Sequence, residues 1–195
     1  MGAKKDMNQE EINKLYTPEQ HTKTITTQEY TQKYVNKEKT LQACQECPQY
    51  NKNWACPEFQ DNTYQLWKKY QHIKLVMTKI NYTQEAQNKT YNQEQLNNII
   101  ENTLWKERKK LIQKLEQEEK QTNGRYLSAG YCTYCNTCTK TQDKPCKQPE
   151  KCRCSIESIG GLVTETLQGE FNEEIKWIKE GKLPTNLTLL MALLY

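Results

Sequence analysis

Histidine is nearly missing from this chain: His21 and His72 are the only two in 195 residues. His21 falls in a polar opening stretch and His72 heads an apolar run, so each reads as surface or core rather than as base or ligand. No Cys–His nucleophile pair suggests itself. There is no glycine-rich phosphate loop, no G-x-S-x-G elbow and no H-E-x-x-H, which leaves P-loop, hydrolase-elbow and zincin chemistries without support. Apolar residues are also short, at 35% of the chain with a mean hydropathy of −1.04. A core is possible but lean, and bound metal would add folding free energy that such a core supplies poorly.

Long hydrophobic runs are lacking too. The longest, Leu187 to Tyr195, is too short to span a bilayer. Met1 to Gln20 is polar and charged with no apolar centre, so neither a secretory signal nor a membrane anchor is expected there. The expectation is a cytoplasmic protein with no membrane partner, in which the sequons at Asn81, Asn88 and Asn186 carry no meaning. Charge of one sign is never concentrated. The 28 Lys and Arg interleave with the 24 Asp and Glu, which reads as a solvated surface and makes a nucleic-acid partner unexpected. No internal repeat is present.

Cysteine is abundant and sharply confined. Six of nine cysteines fall between Gly130 and Gly160: Cys132, Cys135, Cys138, Cys146, Cys152 and Cys154. The other three, Cys44, Cys47 and Cys56, form a smaller front knot with Pro48, Tyr50, Trp54 and Pro57. Cytosolic thiols stay reduced, and nine cannot pair fully, so a disulfide framework is not expected.

Between the knots the pattern predicts alternating strands and helices. Residues 1–22 read as a polar extension, frayed or weakly helical, followed by one domain over 23–195. Thr27 can cap a short helix to about Asn36, the front knot follows as loop, and Asp61 starts another helix. His72 to Thr83 reads as the central strand, apolar toward both faces. Leu96, Ile100, Leu104, Leu111 and Leu115 mark a helix over about Asn92 to Lys120, roughly 40 Å long, and Asn123-Gly124 stops it. Arg125 to Ala129 reads as a short strand leading into the large knot, Gly160-Gly161 as the turn out of it. Phe171 to Glu180 reads as a helix and Asn186 to Tyr195 as a last apolar element, strand or helix, with strand preferred. The predicted class is α+β (or α/β): a small mixed sheet backed by one long helix, with two cysteine-rich loops at one end.

A C-x2-C-x2-C run lets three thiolates converge on one centre, and iron–sulfur sites use such runs with a more distant fourth cysteine. Cys132, Cys135, Cys138 and Cys146 form C-x2-C-x2-C-x7-C, with a longer last gap than the ferredoxin run and no second interleaved copy. Zinc is the alternative, with Cys132/Cys135 and Cys152/Cys154, or Cys44/Cys47 and Cys132/Cys135, as paired knuckles. Lys140, Lys144, Lys147, Lys151 and Arg153 surround the large knot and would favour thiolates; a solvated basic loop explains each of them equally well. Tyr131 and Tyr134 suit core packing, or shielding of a cluster from water. The front knot offers three thiols, which leaves either an open coordination position for a substrate or a fourth ligand from elsewhere, such as Cys152 or Cys154. Tyr50 and Trp54 there read as local core by default, with lid or platform as the alternatives.

The two knots together resemble a family of prokaryotic proteins known only as predicted metal-binding, a domain of unknown function common in anaerobes. The front motif C-x2-C-x2-Y-x3-W-x-C-P is met by Cys44, Cys47, Tyr50, Trp54, Cys56 and Pro57, with Glu58 where the family usually has a second proline. The back motif is met by Ser128-Ala129-Gly130, Cys132, Cys135, Cys138, Pro145-Cys146, Pro149-Glu150, Ser155, Glu157 and Gly160. The resemblance spans about residues 24–195. It implies metal binding of the iron–sulfur type through Cys44, Cys47, Cys56, Cys132, Cys135, Cys138 and Cys146, and sets Cys152 and Cys154 outside the pattern. The leading expectation is a [4Fe-4S] redox protein with an electron-transfer partner. The alternatives are an enzyme acting on a small substrate at an open iron beside Cys44, Cys47 and Cys56, and a zinc-stabilised interaction module.

Overall fold

The computed structural model describes residues 7–56 and 65–195. The predicted helix start at Asp61 lies outside the described residues. Four strands form one sheet in the order β1-β2-β4-β3: β1 Tyr16–Thr26, β2 His72–Tyr82, β3 Arg125–Leu127 and β4 Asn186–Leu194. The α+β class stands, but every pairing between these strands is antiparallel, so the sheet is not mixed. β2 is interior as expected and β4 joins it there; both are covered on two faces, and both sequences read as nearly continuous apolar runs.

The period-two geometry of a strand splits those runs. Ile73, Leu75 and Met77, with Leu190, Ala192 and Leu194, face a cluster built with Tyr30, Tyr34, Trp67, Ile156, Ile159 and Leu167. Val76, Met191 and Leu193 face the opposite way, onto Leu111, Ile112 and Leu115 of the long helix, and Ile80 and Leu187 pack with Leu96 and Ile99. Helices α2 (Thr27–Tyr34), α4 (Gln65–Lys68) and α8 (Val163–Phe171) contribute to the first layer. The second layer is α6 (Gln93–Ile100), a π-helical turn (Glu101–Trp105) and α7 (Lys106–Thr122). An Asn92/Gln95 capping box starts this run and Asn123, at φ 51°, stops it. The cap of α2 is Thr26, one residue before the predicted position.

Two predicted elements differ. The segment expected to fray contains a short helix α1 (Gln9–Asn13) and then β1, which pairs with β2 from Tyr16↔Tyr82 to Thr26↔His72. Only Tyr16 of this strand is buried. Its polar, threonine-rich surface and Pro18 suit an edge, where backbone pairing rather than side-chain burial holds the strand. The helix expected over Phe171 to Glu180 is not there. Asn172 adopts φ 52° and closes α8, and the following residues run without regular structure until a tight turn at Glu180 and Gly181, both at positive φ.

Candidate metal centre

The large knot begins where β3 runs out. Ser128 bridges to Ser155 and its N–H donates to the Cys154 carbonyl at 2.8 Å, so the knot is a closed loop stitched at its neck. The long gap between Cys138 and Cys146 is folded back on itself: a 3-10 turn (Thr139–Gln142) ends at Asp143, φ 53°, and the buried Thr139 hydroxyl donates to the Pro145 carbonyl at 2.8 Å. Cys132, Cys135, Cys138 and Cys146 consequently line one small hollow, of about 10 Å³, roughly the space of one water. Cys152 lines it as well. Cys154 does not; it packs against the sheet-side core.

Trp54 of the front knot also lines this hollow. Its indole N–H donates to the Lys144 carbonyl at 3.2 Å, and the Lys140 ammonium sits 4.8 Å from its ring centroid. Trp54 is therefore a wall of the back site rather than local core of its own loop. Tyr134 lines the hollow too, its hydroxyl donating to Glu116 at 2.7 Å.

Arg108 supplies the electrostatics. It projects from α7 and is 2% exposed. Its guanidinium donates to the carbonyls of Ala129 and Tyr131, each at 2.8 Å, to the Ser128 hydroxyl at 3.0 Å and to that of Thr133 at 3.3 Å. Among the described residues it has no carboxylate partner. The Cys152 thiol donates to Cys132 and draws it down to about 6 against the opposing effect of burial, helped by the Tyr134 N–H and the Arg108 charge. Cys152 keeps its proton, its titration driven upward by Cys132. Arg153, counted from sequence as a cation for the knot, is instead spent on an ion pair with Glu119. Among the described residues no three His, Cys, Asp or Glu side chains are set to hold a metal ion as they stand. The donor set nevertheless fits a soft, electron-rich group: several thiols around one point, with an unneutralised cation behind them.

The front knot is built differently. Cys44 is in the last turn of α3 (Lys37–Gln45), not in a loop, and Cys47 follows one turn later, its N–H on the Cys44 carbonyl at 3.0 Å. The buried Asn53 side chain accepts from the N–H groups of Ala55 and Cys56, both at 3.1 Å, and Asn51 N–H bonds the Cys56 carbonyl at 3.0 Å. These bonds bring Cys56 back toward the helix end. Helix α3 is seated on the turn after the large knot by the Thr40 hydroxyl and the Asn36 N–H, both on the Gly160 carbonyl.

Cys44, Cys47 and Cys56 all line a cavity of about 590 Å³. Tyr50, Tyr131, Glu157 and Trp177 are among its other walls. Burial and then the Glu157 charge push Cys44 up to about 11 and Cys56 up to about 12. Burial raises Glu157 itself, against bonds to backbone N–H and the Ser155 side chain. Gly130 and Tyr131, just ahead of Cys132, form part of the same wall, so the cavity lies between the two knots. His21, paired with Glu19 at 2.6 Å, and His72, stacked on Tyr195, join neither site. Arg108, Glu157 and Asn53 were not singled out from sequence as functional. Arg108 had a signal: it interrupts the apolar stripe between Leu104 and Leu111. Glu157 had one in the resemblance to the back motif.

The model of a family described as predicted metal-binding protein (DUF2284) matches residues 30–195. No curated protein and no solved structure matches the chain. No helix among the described residues is long and apolar enough to cross a membrane.

Proposed function

Since the chain belongs to this family of predicted metal-binding proteins, we propose that it is an iron–sulfur protein whose back knot holds a [4Fe-4S] cluster through Cys132, Cys135, Cys138 and Cys146, with a redox role in anaerobic metabolism. The observation that carries this reading is the buried Arg108 at the neck of the knot whose four cysteines line one hollow, a cation with no carboxylate partner among the described residues. A buried unpaired charge is costly. An anionic thiolate-bound cluster offers the missing counter-charge, whereas four thiols in a neutral core do not need one. Such a cluster, when bound, supplies one-electron transfer at a potential set by hydrogen bonds and solvent access. The chain's own part is to hold the Cys132 thiolate ready with the Cys152 thiol, the Tyr134 N–H and Arg108, and to wall the hollow with Trp54 and Tyr134.

Anaerobic purification with iron and acid-labile sulfide analysis, visible absorption and EPR of the reduced protein tests this. A brown protein with iron and sulfide in cluster proportion is expected. A colourless protein with stoichiometric zinc leaves only the zinc-stabilised module.

The front cavity favours a second reading, an enzyme acting on a small molecule at a metal held by Cys44, Cys47 and Cys56. Cys44, Cys47 and Cys56 line a cavity of about 590 Å³, within the usual volume range of ligand sites, and three thiols would leave a metal's fourth position to a substrate. A flat, exposed front knot would have spoken against it. Here Cys44→Ala is expected to abolish turnover while the iron and sulfide of the back knot persist.

A further inference from the structure

Among the described residues, the cavity beside the front knot is lined by one carboxyl with no cation partner, Glu157, and by one exposed aromatic ring, Trp177. On its rim Lys39 and Glu165 neutralise each other. Glu157 has no cation partner among the described residues; its carboxyl is held by Ser155 and backbone N–H, and its field falls on Cys44 and Cys56. Lys39 is the one cationic residue among the described lining residues, and it is already paired. Among the described residues, an anion entering here meets an acid and no free cation.

Trp177 stands in the same lining, 69% exposed, the most exposed large apolar side chain among the described residues. It is fixed rather than loose. Asn172 ends α8 at φ 52°, Ile175 packs into the sheet-side core and Ile178 into the cluster around Tyr91 and Leu183. Beyond them the chain turns at Glu180 and Gly181, where a Cβ on Gly181 would lie 2.6 Å from the Tyr91 carbonyl oxygen. With both isoleucines turned inward, the indole between them is held outward at the cavity. A large indole left in water at a fixed position is apolar surface that a ligand gains by covering.

We propose that this cavity binds a small, flat, largely apolar molecule without negative charge, its ring against Trp177 and its cationic or hydrogen-bond-donating end at Glu157. The inference rests on the front cavity being a substrate site and narrows the class: aromatic or conjugated amines and alcohols are admitted, carboxylates and phosphates are not.

Three probes sharing one body test it by calorimetry on the full chain, as purified anaerobically: phenethylamine, phenethyl alcohol and hydrocinnamate. The amine and the alcohol are expected to bind, and hydrocinnamate about tenfold more weakly or worse. Trp177→Ala is expected to weaken both binders about fivefold and to leave iron and sulfide content unchanged. Glu157→Gln is expected to narrow the amine's advantage over the alcohol. Equal binding of hydrocinnamate and the amine, or indifference of every Kd to Trp177→Ala, overturns the inference. Binding of hydrocinnamate alone overturns it while sparing the cavity as a ligand site; silence from all three probes overturns both. Because Trp177 is exposed, its removal keeps the test valid if Glu157→Gln fails to fold.

Discussion

The two cysteine knots differ less in their sulfur content than in what stands behind the sulfur. Behind the back knot is Arg108, buried, cationic and bonded to neutral acceptors. Behind the front knot is Glu157, an acid, and a cavity large enough for a small molecule. The back hollow has room for about one water and is walled by Trp54 from the other knot. One environment lowers the Cys132 thiol and leaves about a water's space beside it; the other raises Cys44 and Cys56 and leaves room for a small molecule. Similar donors can thus serve different chemistry, decided by charges contributed from distant parts of the chain.

The sharpest way to break this contrast is to remove one thiol from each side. Cys138→Ala is expected to lose the back-knot iron and sulfide outright, while Cys44→Ala retains them; loss of all iron from both variants means that the knots share a single centre. Next in size is Arg108→Leu. It leaves up to four acceptors, one buried and three part-buried, without their donor, for roughly 1–3 kcal/mol of stability, read by chemical denaturation of the metal-free chain. A cost near zero would mean that Arg108 is dispensable to the neck of the knot.

Thiol reactivity sharpens the comparison further. At neutral pH the metal-free chain is expected to alkylate at Cys132 about tenfold faster, or more, than at Cys44 or Cys56, measured by iodoacetamide labelling and peptide mass spectrometry. The pH dependence of stability follows with opposite signs. Cys132 titrates below the ordinary thiol value of 9.0 in the folded chain, so its contribution is full above about 9 and is lost as pH falls through about 6. Cys44 and Cys56 titrate above that value, so theirs is present below about 9 and is lost as pH rises through about 11 and 12. Denaturation midpoints against pH, with Cys132→Ser beside the parent, separate the two. The smallest effect expected is that of Trp54→Ala. It uncovers the back hollow and should speed oxidative bleaching of the cluster a few-fold; an unchanged rate would show that the indole is not its shield.

The elements legible in the sequence were those with a burial period. β2 and the long helix carry apolar side chains at strand and helix spacing because each packs against a core, and β4 was legible as an apolar run bounded by Pro184. β1 was not legible, because an edge strand exposed on both faces needs no apolar alternation; its signal was only the β-branched Thr17, Thr22, Thr24 and Ile25. The segment after α8 misled for the opposite reason. Ile175 and Ile178 are spaced like a helix face but pack, partly buried, against two separate clusters, one on each side of the sheet's core. At the knots, spacing marked the cysteines but left nearby lysines open between electrostatic partners and a solvated basic loop. Arg153 turned out to be paired with Glu119, and the cation that matters, Arg108, lies on α7, more than twenty residues before the first back-knot cysteine.

The sequence alone determined which side chains are chemically able to hold a soft metal, and that two groups of them exist, because thiol spacing along a chain is a local property. Which cysteines face the same hollow, that Cys152 joins them and Cys154 does not, and which knot receives a cation and which an acid were decided only by tertiary structure. Coulomb interactions and desolvation act through space over a few ångströms, and the residues exerting them, Arg108 and Glu157, reach the thiols by the packing of α7 and of the turn after the large knot.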